Sequence, residues 1–303
     1  MTAPRLLDRE RTAALVGYPA LVDALAIATV EYSAGRIASP TRLSVPLSGE
    51  GVMLSMPASA SDIAIHKLVS VQRANAQRGL PTLHGVVTVV EAATGRPLCF
   101  LDGPELTGRR TAAISMLAVR TFMARSPTQA VLIGTGAQAA FHVAALRVLH
   151  PDCEVLVKGT SRAAEDDFCE RHRGTHPRLA PCPPAIPSTC ELVVTLTTSK
   201  EAVYDEAATP RRLVIGVGAF KPEMAELGAR TLAGSDVYAD DPTGARHEAG
   251  DLQRAGIDWG RVMPLSHAVA NGARRDVPVV VKSVGCAAWD LAAARVAVRA
   301  LAG

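Results

Sequence analysis

The feature that most constrains the fold of this chain is a glycine-containing turn near its middle. The apolar run Val131-Leu-Ile leads into Gly134-Thr-Gly136-Ala-Gln-Ala139, and a long segment rich in alanine follows. This order predicts a strand, a tight turn and a helix, the arrangement that binds the pyrophosphate of a dinucleotide. Gly134 would allow the sharp turn, and Gly136 would allow a phosphate to approach the backbone. Ala139 would allow the helix to pack closely on the strand. The alternative is an ordinary strand-to-helix turn.

The chain after this turn favours the dinucleotide site, because strands continue to alternate with helices. Further apolar strand patterns lie at 155–157, 192–196, 213–217 and 237–239, and another lies at 277–281. Alternation of this kind predicts a doubly wound parallel sheet. The proline-rich stretch 176–187 is predicted to be a surface loop without regular structure.

The first third of the chain has a different pattern. A helix is predicted over 18–34, followed by short strands between 41 and 102 that indicate a mostly antiparallel sheet. Helices are also predicted at 105–124 and at 286–301. Because this sheet has no helix of its own, we expect the last helix to pack against it. The predicted fold class is therefore α/β, with a Rossmann-like doubly wound domain (126–279) inserted in a discontinuous α+β domain (1–125 plus 280–303).

Composition and charge exclude several functional classes. The 303 residues are 48% hydrophobic and 20% charged, which is typical of a globular chain with an ample core. A net charge of +3 without a basic run argues against a nucleic-acid or membrane surface. Charged residues occupy the start, where a signal peptide needs an apolar core, so a cytoplasmic location is expected. The six cysteines lack metal-ligand spacing, and we expect reduced thiols and no metal site.

Three basic residues outside the glycine turn are candidates for chemistry. Lys67 ends the otherwise apolar run Ile63-Ala-Ile-His, where burial is costly unless a negative charge meets the lysine. The alternative is that Lys67 extends from a sheet edge to solvent. His66 alternates to the opposite face of the strand and is expected to be a packed or surface residue. Arg42 and Arg110, taken alone, are typical of surface residues.

A series of short motifs runs through the whole chain in order. They are Pro40-Thr-Arg42, Met56-Pro57, Lys67, Gly79-Leu-Pro-Thr82, Gly95-Arg-Pro-Leu, Leu101-Asp-Gly, Thr107, Arg110-Thr-Ala-Ala113, Gly134-Thr-Gly-Ala-Gln138, His247-Glu-Ala-Gly250 and Lys282-Ser-Val-Gly285. Together they resemble the ornithine cyclodeaminase and mu-crystallin family along nearly the full length. The resemblance implies a homodimer whose N-terminal sheets associate across a two-fold axis, so that the discontinuous domain serves substrate binding and dimerisation. It also implies that the inserted domain binds a nicotinamide cofactor.

The resemblance also implies roles for individual residues. Arg42 and Lys67 would be the catalytic pair and would contact the substrate's carboxylate and reacting centre. Arg110 would serve both the substrate carboxylate and the cofactor, and Ser283 would lie beside the cofactor and contact the substrate. The remaining implied cofactor contacts are Thr82, Thr111, Gly134, Thr135, Gly136, Ala137, Gln138, Thr197 and Lys282.

One departure from the family pattern favours a particular chemistry. In ornithine cyclodeaminases an aspartate follows the strand that here ends at Ile215-Gly-Val-Gly218, but this chain has Ala219 there. An alanine can neither orient a water molecule nor accept a proton. The other residues suit hydride addition to a cyclic imine. Similar family members reduce Δ1-pyrroline-2-carboxylate and Δ1-piperideine-2-carboxylate to proline and pipecolate.

Three alternatives stay open at this stage. The chain could be an ornithine cyclodeaminase, an alanine dehydrogenase-like enzyme, or a noncatalytic mu-crystallin-like protein that binds NADPH and a small ligand for storage or sensing. In the reductase hypothesis, Arg42 and Arg110 hold the substrate carboxylate. Lys67 donates a proton to the imine nitrogen or polarises it, and its pKa is lowered by the two arginines in a dry site. Ser44 is a weaker candidate for a hydroxyl donor.

The end of the second strand predicts the cofactor. Enzymes that use NAD usually place an acidic residue there to bind the ribose 2′-hydroxyl. This chain instead reads Lys158-Gly-Thr-Ser161-Arg162, and no acid occurs before Glu165. Lys158, Ser161 and Arg162 would suit a 2′-phosphate. The sequence therefore predicts NADP(H), with NAD(H) accepted at lower preference.

Overall fold

The computed structural model describes residues 3–302, except for the side chains of residues 73 and 76. Its strands are β1 (Arg5–Leu6), β2 (Leu43–Pro46), β3 (Val52–Ser59), β4 (Ile63–Val71), β5 (Leu83–Glu91), β6 (Pro97–Asp102), β7 (Gln129–Ile133), β8 (Glu154–Lys158), β9 (Leu179–Pro181), β10 (Leu192–Thr195), β11 (Leu213–Gly216), β12 (Asp236–Ala239), β13 (Met263–Pro264) and β14 (Val279–Lys282). Its helices are α1 (Arg9–Leu15), α2 (Tyr18–Ser33), α3 (Gly103–Phe122), α4 (Ala137–Leu149), α5 (Arg162–His172), α6 (Ala229–Ala233), α7 (Pro242–Glu248), α8 (Gly250–Arg254), α9 (Leu265–Asn271) and α10 (Ala287–Ala302), with a short 3₁₀ helix at Arg73–Arg78.

The chain divides into two units. The first combines the residues up to Arg110 with those from Cys286 onwards, and the second runs from Thr111 to Gly285. These boundaries differ from the predicted ones at 125/126 and 279/280. The first lies inside α3, where an unbroken helical pattern gives no sign of a division. The second lies further on because β14 is an interior strand of the second unit's sheet, between β12 and β11.

A six-stranded sheet forms the centre of the first unit. Its order is β1-β6-β5-β4-β3-β2, and every neighbouring pair is antiparallel except β1 with β6. The mostly antiparallel sheet is thus confirmed. The last helix, α10, contacts β3, β4 and α2, as expected from the sequence. Its buried alanines let it approach the strands closely, because they add little side-chain bulk.

The second unit is built on an eight-stranded sheet in which all strands are parallel. The order is β13-β12-β14-β11-β10-β7-β8-β9. The sheet grows from β7 through β8 to β9 on one side, and from β10 through β11 to β14 on the other. This is the doubly wound order, and the direction of growth reverses between β7 and β10. The predicted Rossmann-like architecture is confirmed. In such sheets, ligands bind beyond the carboxyl ends of the strands at this reversal.

The prediction that 176–187 lacks regular structure was wrong, because β9 lies within it and pairs with β8. Proline is tolerated here because β9 is the edge strand. The N–H of Cys182 donates to the carbonyl of Val157 at 2.8 Å, so in the alternating pattern the nitrogen of Pro181 faces away from β8. The missing N–H at Pro181 therefore costs no hydrogen bond in the sheet.

A buried polar pair joins α4 to the part of α3 that belongs to the second unit. The Oγ of Ser115 lies 2.9 Å from Nε2 of His142, and Nδ1 of His142 lies 2.8 Å from the carbonyl oxygen of Gln138. Burial lowers the pKa of His142 to about 4, so the ring is neutral at physiological pH. The neutral ring can donate to Gln138 and accept from Ser115, and it thereby anchors the start of α4.

Among residues 3–302, no single helix is both long enough and apolar enough to cross a membrane. The consecutive helices α1 and α2 meet the length and composition requirements only together, as a pair bent by 70°.

Candidate functional site

Lys67 occupies the buried face of the antiparallel sheet. Along β4, alternate side chains are buried, and the Lys67 side chain is only 2% exposed. The alternative that this lysine extends to solvent was therefore wrong. His66 faces the other way, as predicted: it is exposed, and its Nε2 lies 2.8 Å from the Oγ of Ser55.

The strand register brings Arg42 into line with Lys67. Lys67 pairs with Met56 across β3 and β4, and Ser55 pairs with Leu43 across β3 and β2. Arg42, one residue before Leu43, therefore continues the row that contains Met56 and Lys67. The positive charge of Arg42 is one of the causes that lower the pKa of Lys67.

A buried carboxylate that the sequence analysis missed links the basic residues. Asp290 Oδ2 lies 2.5 Å from the Nζ of Lys67, and Asp290 Oδ1 lies 3.2 Å from the Nε of Arg110. The Asp290 side chain is 0% exposed. A signal was present in the sequence, because Asp290 is an acidic residue in an alanine-rich helix. Lys67, Arg110 and Asp290 together are called the basic cluster below.

The surroundings of Lys67 in the basic cluster change its pKa. Burial lowers the pKa of Lys67 to about 8, and the charges of Arg110 and Arg42 lower it as well, whereas Asp290 raises it. The direction agrees with the sequence-based expectation, but burial is the largest cause. At neutral pH the lysine still carries its proton, and it can release that proton at small cost.

The charges of the basic cluster do not cancel. Lys67 and Arg110 are cations, and within the described part of the chain they share the single carboxylate of Asp290. An uncompensated charge in a buried site is costly, so the cluster favours an added anion. A small carboxylate supplies the missing negative charge and can accept bidentate hydrogen bonds from an arginine.

The two glycines of the central turn meet different constraints. Gly134 has φ +130°, and a Cβ there would lie 2.7 Å from the carbonyl oxygen of Leu196, so the chain itself requires glycine. Gly136 caps α4 without a side-chain hydrogen bond, and a Cβ there would meet no atom of the chain within 4 Å. The backbone N–H groups at the start of α4 thus have room for a phosphate, as a dinucleotide requires. Thr135 and Gln138 are half-buried beside them, and Ala137 is exposed.

Two of the implied contacts at the end of β14 already have partners inside the second unit. The Nζ of Lys282 lies 3.0 Å from Oδ2 of Asp251, and both side chains are fully buried. The hydroxyl of Ser283 donates to Oδ2 of Asp240 at 2.8 Å. The carboxylate of Asp240 also accepts from the N–H groups of Val284 and Gly285. These contacts fix the backbone that follows β14.

A second carboxylate missed by the sequence analysis, Glu226, holds the ends of β10 and β11 together. It accepts hydrogen bonds from the hydroxyl of Thr195 at 2.9 Å and from the N–H of Thr197 at 2.5 Å. The N–H groups of Gly218 and Ala219 also donate to it, at 2.5 and 3.2 Å. With four donors around it, this buried carboxylate is committed to structure. It does not replace the acid that Ala219 lacks.

The residues predicted to bind a 2′-phosphate lie at the surface of the second unit. Lys158 Nζ donates to the carbonyl of Pro184 at 2.8 Å, and Arg162 Nε lies 3.1 Å from Asp166. Ser161 caps α5 through its side chain. Glu165, the first acid after β8, is buried. Its Oε1 accepts from the N–H of Gly159 at 2.9 Å.

Three further candidate residues, Thr82, Thr111 and Ser44, differ in their surroundings. Thr82 lies in the first unit, where it is exposed and its carbonyl accepts from the N–H of Gln72 at 2.7 Å. Thr111 is buried in α3 and follows Arg110 directly. Ser44 is exposed on β2. The structure thus groups Arg42, Lys67 and Arg110 in the first unit, and the glycine turn and the ends of β10 and β14 in the second.

All six cysteines are free thiols, and five of them are buried. Among the described residues, no group of three or more histidine, cysteine, aspartate or glutamate side chains is arranged to hold a metal ion.

Comparison with known proteins gives a consistent match. The model of the ornithine cyclodeaminase/mu-crystallin family matches residues 5–301. The Delta(1)-pyrroline-2-carboxylate/Delta(1)-piperideine-2-carboxylate reductase of Azospirillum brasilense is 51% identical over 298 residues, which cover 98% of this chain and 96% of the relative.

Two solved structures share the fold. The Thermococcus litoralis Delta(1)-pyrroline-2-carboxylate reductase, in complex with NADH and L-proline, has a TM-score of 0.85 at 24% identity, with 98% and 97% of the two chains covered. An archaeal alanine dehydrogenase dimer with bound NAD has a TM-score of 0.86 at 24% identity, with 99% and 96% covered. At this identity the likeness concerns the fold alone.

Proposed function

Because the chain belongs to the ornithine cyclodeaminase/mu-crystallin family, we propose that it reduces small cyclic ketimine carboxylates with a nicotinamide cofactor. The substrates would be Δ1-pyrroline-2-carboxylate, which gives L-proline, and Δ1-piperideine-2-carboxylate, which gives L-pipecolate. The relative from Azospirillum brasilense carries both compounds in its name. The observation that carries the proposal is the basic cluster, in which two buried cations share one carboxylate.

The substrate carboxylate would supply the second negative charge of the basic cluster. Arg110 is buried beside Lys67, and Arg42 lies in the same row across the sheet. Each charge-assisted hydrogen bond to the carboxylate would contribute about 1.5–3 kcal/mol in a site without water. A small planar acid therefore fits better than a neutral imine.

Lys67 would supply the proton that the reduction needs. When a nicotinamide is bound, it supplies the hydride that adds to the imine carbon. The electron pair displaced onto the imine nitrogen must be stabilised, and the Lys67 ammonium can do this by donating a proton. A pKa near 8 suits a proton donor, because the lysine is charged at neutral pH and releases its proton at small cost.

The same geometry disfavours the cyclodeaminase alternative. That reaction needs an acid to act on the amino group and on water, and Ala219 has no such group. Glu226 contacts the same segment, but its oxygens accept four hydrogen bonds from the chain. Reduction of an imine that is already formed needs no such acid.

We further propose that NADP(H) is preferred and that NAD(H) is used at lower preference. From 158 to 164 the chain has no acidic residue, and Glu165 is held on the N–H of Gly159. The partners of Lys158 and Arg162 are surface groups, and exposed contacts of this kind are weak enough to exchange for a phosphate.

We also propose a homodimer formed through β2. This strand is the edge of the antiparallel sheet, and its four residues are exposed. Leu43 and Val45 lie on one face of β2, and these residues are 63% and 37% exposed. Leu47 continues the same alternation. An exposed apolar edge strand is an interaction site, and a second copy of the chain would cover it.

The reductase proposal is tested by following the absorbance of reduced nicotinamide with each ketimine. We expect turnover with both compounds and no ammonia release from ornithine. Lys67→Met should lower kcat by about a hundredfold, because general acid catalysis is lost, while NADPH affinity is retained. The control His66→Gln changes the exposed face of the same strand and should leave kcat unchanged. Absence of turnover with every cyclic ketimine would refute the proposal.

The cofactor proposal is tested by measuring kcat/KM for NADPH and NADH with the same ketimine. The wild type should prefer NADPH, and Arg162→Ala should lower kcat/KM for NADPH by about tenfold with little change for NADH. Arg171→Ala, on the exposed surface of the same helix, serves as the control. A wild-type preference for NADH would show that the missing acid does not set the choice.

The dimer proposal is tested by sedimentation velocity. The double variant Leu43→Glu/Val45→Glu should convert the dimer to a monomer, because burying two carboxylates without partners is costly. Val148→Glu places a glutamate at an exposed apolar residue of the second unit and should leave the dimer intact. The assignment to β2 fails if the double variant sediments as the wild type does.

A further inference from the structure

The basic cluster contains a residue whose position suggests a task beyond folding. Asp290 lies in the first turn of α10, and its two oxygens contact different cations, Lys67 through Oδ2 and Arg110 through Oδ1. Its neighbours Trp289 and Leu291 are completely buried.

We infer that Asp290 is a positioning residue for the reduction: one oxygen keeps the proton on Lys67, and the other orients the guanidinium of Arg110. The inference rests on the proposed function, because it assigns to Lys67 the proton that the imine nitrogen receives. Asp290 itself contacts neither substrate nor cofactor in this assignment.

The surroundings of Lys67 show why it needs this carboxylate. Its neighbours in the sheet, Met56 on β3 and Val87 on β5, are apolar and buried. Arg110 on α3 and Arg42 before β2 are both cationic. Burial and both arginines favour the neutral amine, and the carboxylate on α10 opposes them. Without it, the lysine would lose its proton near neutral pH and would have none to donate.

Other charged residues of the packed elements have different partners. Glu105 on α3 pairs with Arg9 and Arg109. Arg295 on α10 contacts Asp62 and Glu31. On β5, His84 pairs with Ser70 and Glu91 pairs with Ile63, so neither lies opposite Lys67. Asp290 is therefore the carboxylate that sets the charge of Lys67.

The contact with Arg110 adds an orienting effect. The guanidinium is planar, so the hydrogen bond that its Nε donates to Asp290 restricts the plane in which its other N–H groups lie. An arginine held in this way loses less conformational freedom when it binds a substrate carboxylate.

The proton balance of the step is complete. Hydride adds to the imine carbon, a proton passes from the Lys67 ammonium to the imine nitrogen, and the carbon–nitrogen double bond becomes a single bond. Lys67 ends as a neutral amine and regains a proton from solvent. Asp290 keeps its charge throughout, so it lowers the cost of restoring the ammonium form.

The composition of the chain allows this proton to be observed directly. The sequence contains five lysines, namely Lys67, Lys158, Lys200, Lys221 and Lys282. Protein labelled with ¹⁵N at the lysine Nζ and ¹³C at Cε should therefore give few signals, and Lys67→Arg identifies the one that belongs to Lys67. We expect this signal to titrate with a midpoint near pH 8 in the wild type.

The variants Asp290→Asn and Asp290→Glu separate charge from packing. Asp290→Asn keeps the shape but removes the charge, and should lower the Lys67 midpoint by about one to three pH units. It should also lower kcat at pH 7 by about tenfold or more and move the alkaline limb of the kcat profile to lower pH by the same interval. Asp290→Glu keeps the charge, so its Lys67 midpoint and its kcat should both lie closer to the wild-type values than those of Asp290→Asn. Asp62→Asn removes another ion pair with α10 and should leave the midpoint and the pH profile unchanged.

The possible outcomes distinguish this inference from the proposed function. A wild type that reduces no ketimine refutes the function, while the Lys67 midpoint in Asp290→Asn still decides whether Asp290 holds the proton. If kcat falls but the midpoint and the pH profile stay in place, Asp290 is only structural and the inference is overturned. If Asp290→Asn does not fold, Asp290→Glu decides: the midpoint and kcat must change together, and a change in kcat alone overturns the inference.

Discussion

The carboxylate of Asp290 between Lys67 and Arg110 is the interaction on which the first unit depends. It joins a strand, a helix and the C-terminal helix, which lie far apart in the sequence. Removing one partner from such a buried arrangement typically costs about 3–5 kcal/mol, because the charges that are left have no water to solvate them. The packing of α10 in the first unit therefore matters for chemistry as well as for folding. It places the carboxylate of Asp290 beside Lys67, which can then stay charged in an apolar sheet.

The second unit uses buried acids for a different purpose. Glu226, Asp240 and Asp251 lie close to the carboxyl ends of β10, β11, β12 and β14, where they accept hydrogen bonds from backbone N–H groups or pair with a lysine. A doubly wound sheet binds ligands at this edge, so its loops must be held in place without competing for the ligand. Acids that are saturated by the chain meet this need. Ala219 lies in one of these loops and brings no further acid to it.

The sequence was sufficient for the architecture, because strand and helix periodicities are local signals. The doubly wound sheet, the antiparallel sheet and the return of the last helix were all predicted. The edge strand β9 was not predicted, because its prolines are typical of loops. The boundary between the units was not predicted either, because the helical pattern of α3 continues across it. Among the site residues, Lys67 could be singled out because a lysine in an apolar strand is unusual. Asp290 and Glu226 could not be assigned to partners, because the contacts that define them join residues distant in sequence.

We propose that the buried excess of positive charge in the first unit binds the carboxylate of a small planar ring. Calorimetric titration of the wild type with pyrrole-2-carboxylate and with the neutral pyrrole-2-carboxamide tests this claim most directly. The two compounds share the planar five-membered ring and differ in charge. The claim predicts binding of the carboxylate that is at least about tenfold tighter at pH 7, the effect of one charge-assisted hydrogen bond. Equal affinity for the two compounds would contradict it.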